Sequence, residues 1–133
     1  MRPTLLALLL AAAAVGPASA QSRWKEIGKT STGNVVYVDP SSVKKDHAGI
    51  ITARIRVKFT TPVALPNGTH WSVSQHIAMF DCAKSRVAAK ESTYYSDDAA
   101  THVVQHSTIA KPGFGSAIGG SMTQVALDHF CKK

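Results

Sequence analysis

The stretch "GIITARIRVKFTT", residues 49–61, decides the fold. Ile51, Ala53, Ile55, Val57 and Phe59 alternate with Thr52, Arg54, Arg56, Lys58 and Thr60. A period of two is the repeat of an extended strand, whose successive side chains point to opposite faces. One face is therefore apolar and the other basic. That is the signature of an antiparallel sheet buried on one side and wet on the other.

Strands continue on both sides of this stretch. Upstream, "RWKEIGKT" (23–30) is a short first strand, ended by the turn signal Ser31-Thr32-Gly33-Asn34. "VVYVD" (35–39) is β-branched and aromatic, hence the second. Asp39-Pro40-Ser41-Ser42 predicts one helical turn, with Asp39 as cap and Pro40 first inside. Downstream, "TPVALPNG" (61–68) reads as a loop, having two prolines and an Asn-Gly pair. "THWSVSQHIAMFDC" (69–82) is the fourth strand, counting 49–61 as the third. Its alternation fails partway: Trp71, Val73, Ile77 and Met79 count to one face, Phe80 and Cys82 to the other. Either a bulge or burial of both faces reconciles them. "KSRVAAKESTYY" (84–95) and "THVVQHSTIA" (101–110) are the fifth and sixth strands, and the glycine-rich "KPGFGSAIGG" (111–120) is a loop.

The chain closes with "SMTQVALDHFCKK", whose Met122, Ala126, Leu127 and Phe130 fall on one helical face. Ser121 with Gln124 three later fits a capping box. The expected fold class is α+β: an antiparallel sheet of about six strands with a C-terminal helix packed on one face. Phe130 is expected opposite Ile55, Val57 or Phe59.

The N-terminus gives the compartment. Arg2, the apolar run Leu5–Val15 and Ala18-Ser19-Ala20 have the order of a secretory signal peptide, cleaved after Ala20. The apolar run is shorter than the roughly 20 residues that cross a bilayer. No cysteine follows the cleavage site to carry a lipid. The expected mature chain, 21–133, is one domain without a transmembrane segment, periplasmic or released to the cell surface. An oxidising compartment lets Cys82 and Cys131, the two cysteines of the chain, form a bond. The bond would tie the end of a strand to the end of the helix, closing a loop of about 50 residues worth roughly 4 kcal/mol of chain entropy. A redox pair would be closer in sequence, and a zinc site would need four ligands.

The order of these segments resembles the bacterial surface-adhesin protein E family. "RWKEIG", "VVYVDPSSVKKD", the long strand, "MFDC", "YYSD" and "GGSMTQVALDHFC" carry the resemblance across residues 23 to 131. It implies an antiparallel sheet with a disulfide-held C-terminal helix. It also implies an exported, non-enzymatic binding protein, since the namesake adhesin binds host matrix and plasma proteins. The alternative is a soluble periplasmic structural or stress-associated factor that binds another envelope protein through the 111–120 loop or an edge strand.

Little in the sequence points to chemistry at a site. No catalytic residues, cofactor or metal are expected. His102 and His106 lie about 13 Å apart along one strand face, too far to share an ion. His70 and His76 are farther apart still. No nucleophile motif exists, and Glu26 and Glu91 are the only glutamates. The Asn67-Gly68-Thr69 sequon is discounted in a bacterial family. Charge is the stronger signal. The net charge is +7, or +6 once Arg2 leaves with the leader. Such a balance favours anionic partners, and export makes intracellular nucleic acid a poor one. Arg54, Arg56 and Lys58 project together. Arg86 and Lys90 join them if the third, fourth and fifth strands are neighbours, with His70, Ser72, Ser74 and His76 lying between. This basic face is the candidate site, for an acidic polysaccharide or a host extracellular protein. Its plain alternative is a solvated face whose charges discourage aggregation.

Overall fold

The computed structural model describes residues 23–132. The expected signal peptide and its expected cleavage point lie outside them. Eight strands and one helix follow in order: β1 (Lys25–Lys29), β2 (Val35–Val38), β3 (Lys44–Lys45), β4 (Ile50–Ala64), β5 (His70–Asp81), β6 (Arg86–Tyr95), β7 (Val103–Thr108), β8 (Gly115–Ser116) and α1 (Met122–Phe130). The main sheet runs β1-β2-β4-β5-β6-β7 and is antiparallel throughout. The two-residue strands are additions: β3 pairs with the start of β4, and β8 with the start of β6.

Helix α1 lies across one face, against β1, β2, β4 and β6. We call this the inner face. Its core joins Val36 and Val38 of β2, Ala53, Ile55 and Val57 of β4, Ala78 and Phe80 of β5, and Ala126 and Leu127 of α1. The expected alternation of β4 is thus realised, with the basic side chains on the outer face. Phe130 packs on this core, its ring centroid 5.1 Å from that of Phe80. Cys82 and Cys131 are bonded, tying the end of β5 to the end of α1. No helix among the described residues is long and apolar enough to cross a membrane.

Three local expectations are corrected, and the open alternation of β5 is resolved. Strand β4 runs on to Ala64 through a stretch read as loop, re-pairing Val63 with Trp71 and Ala64 with His70. Pro62 is tolerated because it falls in the irregular interval between the Lys58–Val73 and Val63–Trp71 pairs, where no ladder N–H is required. Gly115–Ser116, inside the expected glycine-rich loop, pairs as β8. Ser121 caps nothing with its side chain. Its hydroxyl instead donates to the Ile118 carbonyl (2.6 Å), and Gln124 reaches forward to Asp128 (2.7 Å). In β5 the inner residues are Ser74, His76, Ala78 and Phe80, opposite the inner residues of β4, so Val73, Ile77 and Met79 face outward. Both faces of β5 carry apolar side chains, and the helix decides which one becomes core.

Candidate ligand-binding face

The outer face is built on β4. Directly opposed residues of an antiparallel pair share a face. Arg54 stands opposite Ile77, Arg56 opposite Gln75, and Lys58 opposite Val73 on β5. On β2, Tyr37 is opposite Arg56. On β6, Glu91, Thr93 and Tyr95 extend the Ile77, Gln75 and Val73 rows. The expectation that His70, Ser72, Ser74 and His76 lie between the basic strands is therefore wrong: Val73, Gln75 and Ile77 do. The register between β4 and β5 sends Ser74 and His76 to the inner face, where His76 bridges the hydroxyls of Ser74 (2.8 Å) and Ser92 (2.9 Å).

Asp39-Pro40-Ser41-Ser42 fixes where Arg54 stands. The Asp39 carboxylate accepts from the Ser41 N–H (3.1 Å) and hydroxyl (2.6 Å), while the Ser42 hydroxyl donates to the Asp39 carbonyl. The same Ser42 oxygen accepts from the Arg54 N–H (2.9 Å), and the Asp39 N–H donates to the Arg54 carbonyl (3.1 Å). The turn thus grips the backbone of β4 at Arg54 from both sides. Asp39 is buried and forms an ion pair with Arg23 (3.2 Å).

Arg56 is the most constrained of the basic residues. Its guanidinium lies 4.4 Å from the centre of the Trp24 ring. With the Gln75 amide oxygen turned toward it, Nη2 donates at 2.7 Å and Nε at 3.3 Å. Arg23 also approaches Trp24, at 5.4 Å. Partial burial, and then the like charge of Arg23, press the Arg56 pKa below its ordinary value. Among the described residues, Arg23 is the one arginine or lysine in an ion pair; Arg54, Arg56, Lys58 and Lys90 have none. Glu91 shares a cavity with Arg54, and Asp98 one with Arg56 and Lys58, but neither pairs with them. Half-buried arginines without a paired carboxylate are open to an external anion, which a guanidinium can bind bidentately.

The predicted set divides. Arg54, Arg56 and Lys58 stand together. Lys90, at the irregularity in β6, joins Arg54 in lining a cavity of about 550 Å³ with Arg23 and Lys44. Arg86 does not join: it pairs with Asp81, four residues along β5 from Ile77, on the order of 13 Å away. Arg23, Trp24 and Lys44 were not legible from the sequence. Trp24 reaches Arg56 only because β1 and β2 bring the chain start beside the central strand. The "YVDPSSV" stretch was the available signal for Arg23, since a buried cap aspartate calls for a cationic partner.

With this geometry described, comparison with known proteins gives the lineage. Solved structures of Haemophilus influenzae protein E share the fold at 14% sequence identity. One covers 86% of this chain and 88% of its own, at a TM-score of 0.55. A second crystal form gives 0.56, covering 86% of this chain and 91% of that one. Protein E from the non-typeable organism gives 0.54, covering 86% and 79%. No curated protein matches the chain significantly. The family model for surface-adhesin protein E matches residues 24–132, nearly the whole described chain, and the protein belongs to that family.

Proposed function

We propose that this chain is an exported, non-enzymatic, adhesin-like binding protein. Its outer sheet face takes an anionic partner, either an acidic segment of a host extracellular protein or an acidic polysaccharide. One observation carries the reading: Arg54, Arg56 and Lys58 stand in a row on one strand with no carboxylate paired to them among the described residues. A face evolved only for solubility has no need to half-bury two arginines. Changing all three to Ser should lower the salt at which the protein elutes from heparin while leaving it folded. Exposed or half-exposed charges contribute about 0–1 kcal/mol each to stability. Unchanged elution would reject the face.

A second reading has its own support. The outer edge of β7 has no strand partner among the described residues, Val103 there is 57% exposed, and Ile118 in the 111–120 loop is 74% exposed. These features suit an envelope protein that adds a strand or an apolar contact. Labelling of intact cells with an impermeant reagent separates the readings: an adhesin is labelled, a periplasmic factor is not.

A further inference from the structure

The inner face holds a feature unrelated to the basic row. Helix α1 covers only part of the sheet. Beside its start, over the inner face of β4, β5 and β6 and next to the β1–β2 turn, lies a cavity of about 290 Å³. Three aromatic side chains, Phe59, Trp71 and Tyr94, wall it. Trp71 and Tyr94 stack at 4.0 Å between centroids. Thr30, Thr32 and Asn34 form a polar rim, and Gly120 to Met122 close the side toward the helix.

In a chain with 15 Lys and Arg and 8 Asp and Glu, none of these types lines this cavity. Its one titratable wall residue of intermediate pKa, His76, sits between two hydroxyls, and burial holds it down to about 4, so it is neutral at physiological pH. An ionic ligand would find no counter-charge. Size restricts the occupant further: small-ligand sites start at about 300 Å³, so one ring-sized unit fits and an extended chain does not.

Chemistry restricts it again. The rim hydroxyls and the Asn34 amide nitrogen bond to one another at 3.1 to 3.3 Å, and the Asn34 oxygen accepts twice from Thr60; the second Asn34 N–H and the remaining capacity of the Thr32 hydroxyl stay free. An aliphatic occupant would leave these groups unpaired, which is unfavourable. An uncharged ring with an apolar face and a hydroxylated edge matches both the aromatic walls and the polar rim. We propose that this cavity is a second binding site, for a single neutral sugar unit. The arrangement places a neutral-glycan site on the inner face and an anion-binding row on the outer one.

The two tryptophans separate the sites. Trp24 lies against Arg56 on the outer face, and Trp71 walls the inner cavity. The experiment is an NMR titration of the folded mature protein, reading both indole N–H resonances. The probes are the methyl glycosides of glucose, galactose, mannose and N-acetylglucosamine. At least one should shift the Trp71 resonance saturably, leave Trp24 unmoved, and bind with an affinity insensitive to salt. Trp71→Phe, which keeps a ring but shrinks the aromatic wall, should weaken that sugar at least threefold, read on the Tyr94 ring signals. Thr32→Val is the milder check at an exposed rim position and should weaken it about twofold. No Trp71 shift with any of the four, or equal shifts of both indoles, overturns the proposal. So does a Trp71 shift with N-acetyl-leucinamide alone, which would make the cavity an apolar socket. Heparin moving Trp24 and not Trp71 is what the basic row predicts; its failure would leave the sugar result standing.

Discussion

His76 is half-buried on the inner face with a hydroxyl on each ring nitrogen, and desolvation lowers its pKa from 6.5 to about 4. The unfolded chain binds this proton more readily than the folded one. The site is neutral in both states above pH 6.5, so it does not affect stability there. As pH falls from 6.5 toward 4 the unfolded state gains protons that the native state refuses, and stability drops. At 1.36 kcal/mol per unit, the loss is on the order of 3 kcal/mol. Thermal unfolding between pH 7 and 4 should therefore show a falling midpoint that His76→Gln flattens. An equal slope in both proteins would place the lost stability elsewhere. Residue identity was readable from sequence in β4 between Ile51 and Thr60, where apolar side chains alternate with threonine, arginine and lysine. It was not readable at β5, because Ile77 and Phe80 are equally apolar and a period of two cannot say which one faces a helix that arrives from 50 residues away. Ser121 and Gln124 make the same point differently: the spacing allowed a capping box, but the Ile118 carbonyl took the hydroxyl.

Helix α1 has nine residues, fewer than the roughly 12–15 at which isolated helices become even marginal in water. It exists because the sheet and the disulfide hold it. Gly28 in β1 permits the close approach. A Cβ there would stand 2.9 Å from Val125 Cγ1, and the backbone has φ +155°, which an L side chain rarely adopts. Gly28→Ala should cost about 1–3 kcal/mol by overpacking, measured by denaturant unfolding. A neutral effect would mean that α1 shifts freely. Losing the bond should cost about 2–5 kcal/mol. With Cys131→Ser, amide exchange at residues 122–131 should speed up far more than at residues 51–59, because local opening becomes independent of the sheet. Equal protection without the bond would show that packing alone fixes the helix. The sheet's ends were the least legible elements. Pro62 signalled a loop, yet β4 continues because the proline falls in a break of the ladder, and β8 has no side-chain pattern to read at Gly115–Ser116.

At the scale of the molecule, one sheet separates two environments. The inner face holds the core and an uncharged cavity; the outer face holds a row of cations without ion pairs, with Arg56 over the Trp24 ring. The sequence revealed the basic strand but not its neighbours, since Arg23, Trp24 and Lys44 meet Arg54 and Arg56 only through the fold. The central claim is that this arrangement, and not net charge alone, binds anions. Its most direct test compares two triple variants of equal charge in a heparin titration over a range of salt. One is Arg54→Ser, Arg56→Ser, Lys58→Ser; the other is Lys84→Ser, Arg86→Ser, Lys111→Ser, at exposed positions off the row. Three contacts of about 0.5 kcal/mol or more each predict at least a tenfold loss for the first. That variant should also lose most of the salt dependence, while the second stays within about twofold of the unaltered protein at physiological ionic strength, where charges beyond about 8 Å are screened. Equal losses in the two variants would contradict the account, reducing the basic face to a share of overall charge.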